Sequence, residues 1–188
     1  MLEAIFWGRG GQGVVTSGQI LSVAAFYDGF YTHTFPYFGV ERAGAPVQVF
    51  FRMRDTCIGV RSYVYNPDVV VVLDASLIKT VDVTKGLKDD GILIINTHKK
   101  AEELGIKGKF KIHAIDATEV AMNIFGKPIV NTIVLGAFSS ITGKVTLDSL
   151  KKAVDEVLKL KGEKVADMNK TAIEKVYNEC SEGICKIK

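Results

Sequence analysis

The chain has little cysteine, no long apolar run and no block of like charge. Its three cysteines, Cys57, Cys180 and Cys185, are too few for the disulfide framework of a small secreted domain and fewer than the four thiolates that hold an iron–sulfur cubane. The spacing of Cys180 and Cys185 is open to a redox pair or half of a metal site, with two ordinary thiols as the simpler expectation. No segment reaches the ~18 consecutive apolar residues of a membrane span. The segment from Ile129 to Ile141 is shorter and carries Asn131 and Ser139. The 24 basic and 21 acidic side chains are interspersed, for a net charge of +3, so nothing points to nucleic acid. His33, His98 and His113 share no metal-ligand spacing with one another or with Cys or Glu, and no metal is expected here. Glu3 stands where a targeting segment would be positive, and a glycine turn follows at once, so a cytoplasmic location is expected.

What is present is the material of one globular domain, 188 residues with 47% apolar and 24% charged side chains. Leu2 to Trp7 reads as a strand. Gly8-Arg9-Gly10-Gly11-Gln12-Gly13 is a glycine turn, and Gln12 to Tyr27 a helix with Val15, Ile20, Val23, Ala24 and Tyr27 on one face. The strand, turn and helix make a corner that fits G-x-G-x-x-G, in which the helix N-terminus presents unpaired N–H groups to an anion. The same missing Cβ atoms also let a helix pack close to a strand. A dinucleotide site further needs a carboxylate at the end of the second strand. That strand, Phe30 to Phe35, ends at Pro36, and Asp28 precedes it rather than following it.

Downstream, Val47 to Met53 alternates in period two, and Cys57 to Val64 is expected to continue it as a hairpin-like segment. Val69 to Leu73 and Ile92 to Ile95 are apolar throughout, as in central parallel strands, and Lys111 to Ile115 is a further strand. Helical spacing is read in Lys79 to Leu87, Lys99 to Leu104, Ala117 to Phe125 and Asn131 to Ile141, with Asn131 foremost an N-cap. Two amphipathic helices, about 146–161 and 163–178, close the chain, divided at Gly162. Strands alternating with helices give an α/β class in one domain over residues 1–188.

Two loops together are more specific than one. Gly8 to Thr16, followed by Phe35-Pro36-Tyr37-Phe38-Gly39-Val40-Glu41-Arg42-Ala43-Gly44-Ala45-Pro46-Val47, resembles the gamma subunits of 2-oxoacid:ferredoxin oxidoreductases. Further matches are Gly91 to Asn96, Asn131 to Ala137 and Asn169 to Tyr177, so the likeness covers nearly the whole chain. Within the family, Glu41-Arg42-Ala43-Gly44-Ala45-Pro46-Val47 is similar to the pyruvate enzymes and next to the 2-ketoisovalerate enzymes. Ala43 departs from relatives that carry a second arginine there.

The resemblance implies a three-layer α/β/α fold with a mostly parallel, mixed sheet, like domain III of pyruvate:ferredoxin oxidoreductase. It also implies membership of an assembly that oxidatively decarboxylates pyruvate to acetyl-CoA and CO2 and reduces ferredoxin, reversibly, as a pyruvate synthase. Thiamine diphosphate, Mg2+ and 4Fe-4S clusters would belong to the alpha, beta and delta subunits, and this chain would hold none of them and supply no catalytic residue. The site residues to be tested are Gly8, Arg9, Gly10, Gly11, Gln12, Gly13, Glu41, Arg42, Gly44 and Asn131, binding an anion such as coenzyme A or completing the active site. Inter-subunit ion pairs by Glu41 and Arg42, with Tyr37 and Phe38 as interface anchors, are the structural alternative. A stand-alone NAD-binding oxidoreductase and a purely structural module are the competing classes.

Overall fold

In a computed structural model, which describes residues 1–38, 44–183 and 185–187, one seven-stranded sheet organises the chain. Its strands are β1 (Leu2–Arg9), β2 (Tyr31–Phe38), β3 (Pro46–Arg54), β4 (Val69–Val72), β5 (Ile92–Asn96), β6 (Lys111–Ile115) and β7 (Lys186–Ile187), in spatial order β2-β3-β1-β4-β5-β6-β7. β1, β4, β5 and β6 run parallel, while β3 lies antiparallel to both β1 and β2, and β7 antiparallel to β6.

The period-two geometry of strands divides the core between two faces. Ala4, Phe6, Val49, Phe51, Val69, Val71 and Ile94 pack beneath the helices. Ile5, Phe50, Val70, Val72, Leu93 and Ile95 face the other way. The helices α1 (Val14–Tyr27), α2 (Ala117–Phe125), α3 (Ile133–Thr142), α4 (Leu147–Val157) and α5 (Glu163–Ser181) form the first outer layer. Within it α3 and α5 touch backbone to backbone, because a Cβ on Gly136 would overlap the Ile173 carbonyl.

The opposite layer consists of turns and single 3-10 turns, Ala75–Lys79 and Ala101–Leu104. The helix expected over Lys79 to Leu87 is therefore absent: Asp82 Oδ1 accepts from the N–H and hydroxyl of Thr84 and bends the backbone into a turn. The helical spacing from Lys99 yields one turn, ended by Gly105 in the left-handed region at φ 66°. The hairpin-like continuation expected over Cys57 to Val64 does not form either. β3 already has β1 on one edge and β2 on the other, and the carbonyls of Ser62 and Tyr63 accept instead from the Arg52 guanidinium at 2.6 and 3.0 Å.

Other differences are local. β2 runs on through Pro36, which an edge strand tolerates because a missing N–H there need not break a ladder. The buried face of α1 is Val14, Ser17, Gly18, Ile20, Leu21, Ala24 and Ala25, while Tyr27 turns outward and donates to the Glu156 carboxylate. Of the two closing helices, α4 stops at Val157, short of the expected 161, and a 3-10 turn over Lys159–Lys161 fills the rest, while α5 runs from Glu163 to Ser181 and β7 follows it. Cys180 and Cys185 are joined as a disulfide rather than left as two thiols.

Candidate functional site at the carboxyl ends of β1 and β4

The direction of chain building reverses at β1, which has antiparallel β3 on one side and parallel β4 on the other. Crevices at such switch points, at the carboxyl ends of parallel strands, are where open α/β sheets take ligands. The glycine turn lies in this crevice, joining Arg9 at the end of β1 to Val14 at the start of α1.

Gly13 is the N-cap of α1, with φ 77°, and among the described residues no side chain caps the first-turn N–H groups. A Cβ on Gly13 would come within 2.7 Å of Asn131 Nδ2. That nitrogen donates to the Gly13 carbonyl at 3.3 Å, and Ser17 Oγ donates to the Asn131 carbonyl at 2.8 Å. Asn131 is thus not the cap of α3, a place taken by Thr132. It ties the start of α1 to the start of α3. Gly11, at φ 92°, has open space around its missing Cβ, and Gly8 packs against Val14. Close packing and an open backbone surface coexist in the one turn.

Arg9 is a strut. Its Nε donates to Asp74 Oδ2 at 3.0 Å, its Nη1 to the Gly44 carbonyl at 3.0 Å and its Nη2 to Ser76 Oγ at 2.7 Å. Gln12 Nε2 also donates to Asp74 Oδ2 at 3.0 Å, and Gln12 Oε1 accepts from the Arg9 N–H at 2.8 Å. The first loop is joined to the second by backbone bonds, Gly10 N–H to the Ala45 carbonyl at 2.9 Å and Gly44 N–H to the Gly10 carbonyl at 3.3 Å. Glu41 and Arg42 lie outside the described residues.

Burial alone would raise the Asp74 carboxyl. Hydrogen bonds from the Ser76 hydroxyl and N–H and from Gln12, with the charge of Arg9 beside it, outweigh that and hold it below the ordinary carboxylate range.

Two cavities flank Gln12. One, of about 670 Å³, opens over the ends of β4, β5 and β6 and is lined by Asp74, Ser76, Lys79, Asn96, His98 and Thr118 among others. The other, of about 450 Å³, lies against Gly11, Gly13, Thr16 and Asn131 and is bordered by Lys127 and Lys161. No sequence pattern points to the two lysines, because they come from the turn before α3 and the segment before α5, and only helix packing brings them to the glycine turn.

The geometry withholds a dinucleotide site. β3 occupies the place beside β1 that the second strand of a nucleotide-binding unit would take. Asp28 lies at the far end of α1, where its carboxylate accepts from Thr146 N–H and Oγ1 and from Ser149 Oγ at 2.6 to 2.8 Å. Among the described residues no group of three or more His, Cys, Asp or Glu could hold a metal ion, and no helix is long and apolar enough to cross a membrane.

The chain is similar over its whole length to known proteins. The pyruvate synthase subunit PorC of Methanocaldococcus jannaschii is 49% identical over 179 residues, covering 95% of this chain and 97% of that one. The pyruvate/ketoisovalerate oxidoreductases common subunit gamma of Thermococcus kodakarensis is 50% identical over 182 residues, covering 95% and 97%. The crystal structure of pyruvate oxidoreductase subunit PORC from Thermotoga maritima superposes with a TM-score of 0.83 at 35% identity, covering 100% of this chain and 97% of that one. The family model for pyruvate ferredoxin/flavodoxin oxidoreductase matches residues 3–179, and the chain belongs to that family, among its PorC and gamma subunits.

Proposed function

We propose that the chain, as one domain over residues 1–188, is the gamma subunit of a cytoplasmic pyruvate:ferredoxin oxidoreductase and works beside alpha, beta and delta subunits. The assembly oxidatively decarboxylates pyruvate, reduces ferredoxin and delivers the acetyl group to coenzyme A, and in reverse acts as a pyruvate synthase. The observation that carries this reading is the full-length identity of 49% with a pyruvate synthase PorC.

Thiamine diphosphate with Mg2+ and the 4Fe-4S clusters are assigned to the partner subunits. The thiols of this chain do not fit a cluster, since Cys180 and Cys185 are paired and Cys57 alone is free, whereas a cubane needs four thiolates. This chain's own residues bind and position, and the catalytic groups belong to the partner subunits.

A second oxoacid has its own support. The relative from Thermococcus kodakarensis is named as common to pyruvate and ketoisovalerate enzymes, so substrate choice is assigned to the partner chains and one gamma chain serves either. Reconstitution of the four subunits tests both readings: pyruvate-dependent ferredoxin reduction is expected with this chain and lost on its omission. Full activity without it contradicts the assignment, and turnover of 2-ketoisovalerate after exchange of the partner subunits supports the shared role.

Within the assembly, Gly8 to Gly13 with Gly44 and Asn131, together with Glu41 and Arg42, form the receptor for the phosphate-bearing end of coenzyme A. The uncapped, partially positive N-terminus of α1 and the nearby Lys127 and Lys161 suit a polyanion. Arg9 contributes by holding the two loops together. Gly13→Ala is expected to raise the coenzyme A KM roughly tenfold, the scale of one lost charge-assisted bond. An unchanged KM contradicts the assignment.

A further inference from the structure

We propose that Asp74 is a positioning residue for this anion site: without meeting the ligand, its carboxylate sets the glycine turn through Arg9 and Gln12. The inference rests on the reading of the corner as the coenzyme A receptor.

Asp74 stands just past the end of β4, one strand over from the turn it controls. Its oxygens divide their work. Oδ1 accepts from the Ser76 N–H at 2.9 Å and the Ser76 hydroxyl at 2.6 Å, which fixes the carboxylate on its own loop. Oδ2 accepts from Arg9 Nε and Gln12 Nε2, both at 3.0 Å. The return bond from the Arg9 N–H to Gln12 Oε1 closes a ring through Arg9, Gln12 and Asp74. Gln12 sits between two glycines of positive φ, Gly11 and Gly13. Such a turn has many accessible conformations and must be fixed from outside if its N–H groups are to be preorganised for a ligand. Gln12 also forms part of the wall of both cavities, so the bond to Asp74 fixes the partition between them. Through Arg9 Nη1 and the Gly44 carbonyl the same carboxylate reaches the second loop.

A negative charge beside an anion site is unfavourable on electrostatic grounds, and this gives the test its sign. If Asp74 acted on the ligand only through its charge, Asp74→Asn would tighten coenzyme A binding. As a positioning residue it does the opposite. An amide offers one acceptor oxygen in place of two, so its NH2 must confront a donor, either Ser76 or the Arg9 and Gln12 pair.

In the reconstituted four-subunit enzyme, Asp74→Asn is expected to raise the coenzyme A KM roughly tenfold or more. The pyruvate KM and kcat at saturating coenzyme A should stay within about twofold, because the oxoacid does not bind at the turn. A coenzyme A KM that is unchanged or lower, while Gly13→Ala raises it, overturns the role of Asp74 and leaves the site reading in place. If neither variant moves it, the site reading fails and the inference falls with it. Should Asp74→Asn fail to assemble, Ser76→Ala removes the hydroxyl that holds Asp74 Oδ1 in place and is judged by the same KM comparison.

Discussion

Glu3 and Arg52 face each other across the β1–β3 register, and Arg52 Nε donates to Glu3 Oε1 at 2.7 Å. The arginine is 2% exposed, and its other nitrogens hold the carbonyls of Ser62 and Tyr63. One buried cation thus pins the first strand and the long connection after β3. Removing the carboxylate strands a buried charge, so Glu3→Ala is expected to cost about 3 kcal/mol. A urea unfolding midpoint that does not move would contradict this.

Asp28 closes the far end of the helical layer. It accepts from Thr146 and Ser149 at the first turn of α4, joining the C-terminus of α1 to the N-terminus of α4. Asp28→Ala is expected to lower stability by about 1–2 kcal/mol, the scale of a lost cap with its hydrogen bonds. Because this lies at the opposite end of α1 from the glycine turn, the coenzyme A KM should not change. A raised KM with unchanged unfolding would reverse that division of roles.

His113 is buried in β6, with its Nδ1 unpartnered among the described residues. Burial and then the charge of Lys111 lower its pKa from the usual 6.5. The fold therefore holds the neutral ring, and the unfolded chain takes up the proton first as pH falls. Stability contributed by this residue is present above about pH 6.5 and is lost as pH falls from there toward the lowered folded value. His113→Leu should flatten the decline in urea midpoint between pH 7.5 and 5.5, leaving the part contributed by His33, whose pKa burial also lowers. Identical slopes in the two proteins would count against this assignment.

The nucleotide alternative is answered by strand order. With β3 between β1 and β2, a carboxylate at the end of β2 would lie two strand spacings from the glycine turn, roughly 9.5 Å away. Isothermal titration of the isolated chain with NAD is expected to give no heat of specific binding. Tight stoichiometric binding would restore the dehydrogenase reading.

Much of this architecture is legible in the residues. The unbroken valines from Val69 to Val72 state a strand buried on both faces, and Leu147, Leu150 and Val154 state one face of α4. Helical spacing misleads over Lys79 to Leu87, because a side-chain bond from Asp82 to Thr84 takes the backbone first. The hairpin-like continuation expected at Cys57 to Val64 fails for a reason its own residues do not carry, since β1 and β2 already occupy both edges of β3. The site divides in the same way. The glycine turn is written contiguously, whereas Asp74, Lys127 and Lys161 reach it only through sheet order and helix packing. Arg9 is recognisable as important from its place in the turn, but its partner lies 65 positions away.

The proposed function makes this chain indispensable to an oxidoreductase whose redox centres lie on other subunits. Its most direct test is pyruvate-dependent ferredoxin reduction by reconstituted alpha, beta and delta subunits, with this chain added, omitted or assayed alone. Turnover in the complete mixture only is the result expected. Pyruvate-dependent ferredoxin reduction by the purified chain alone, or undiminished turnover without it, would contradict the claim.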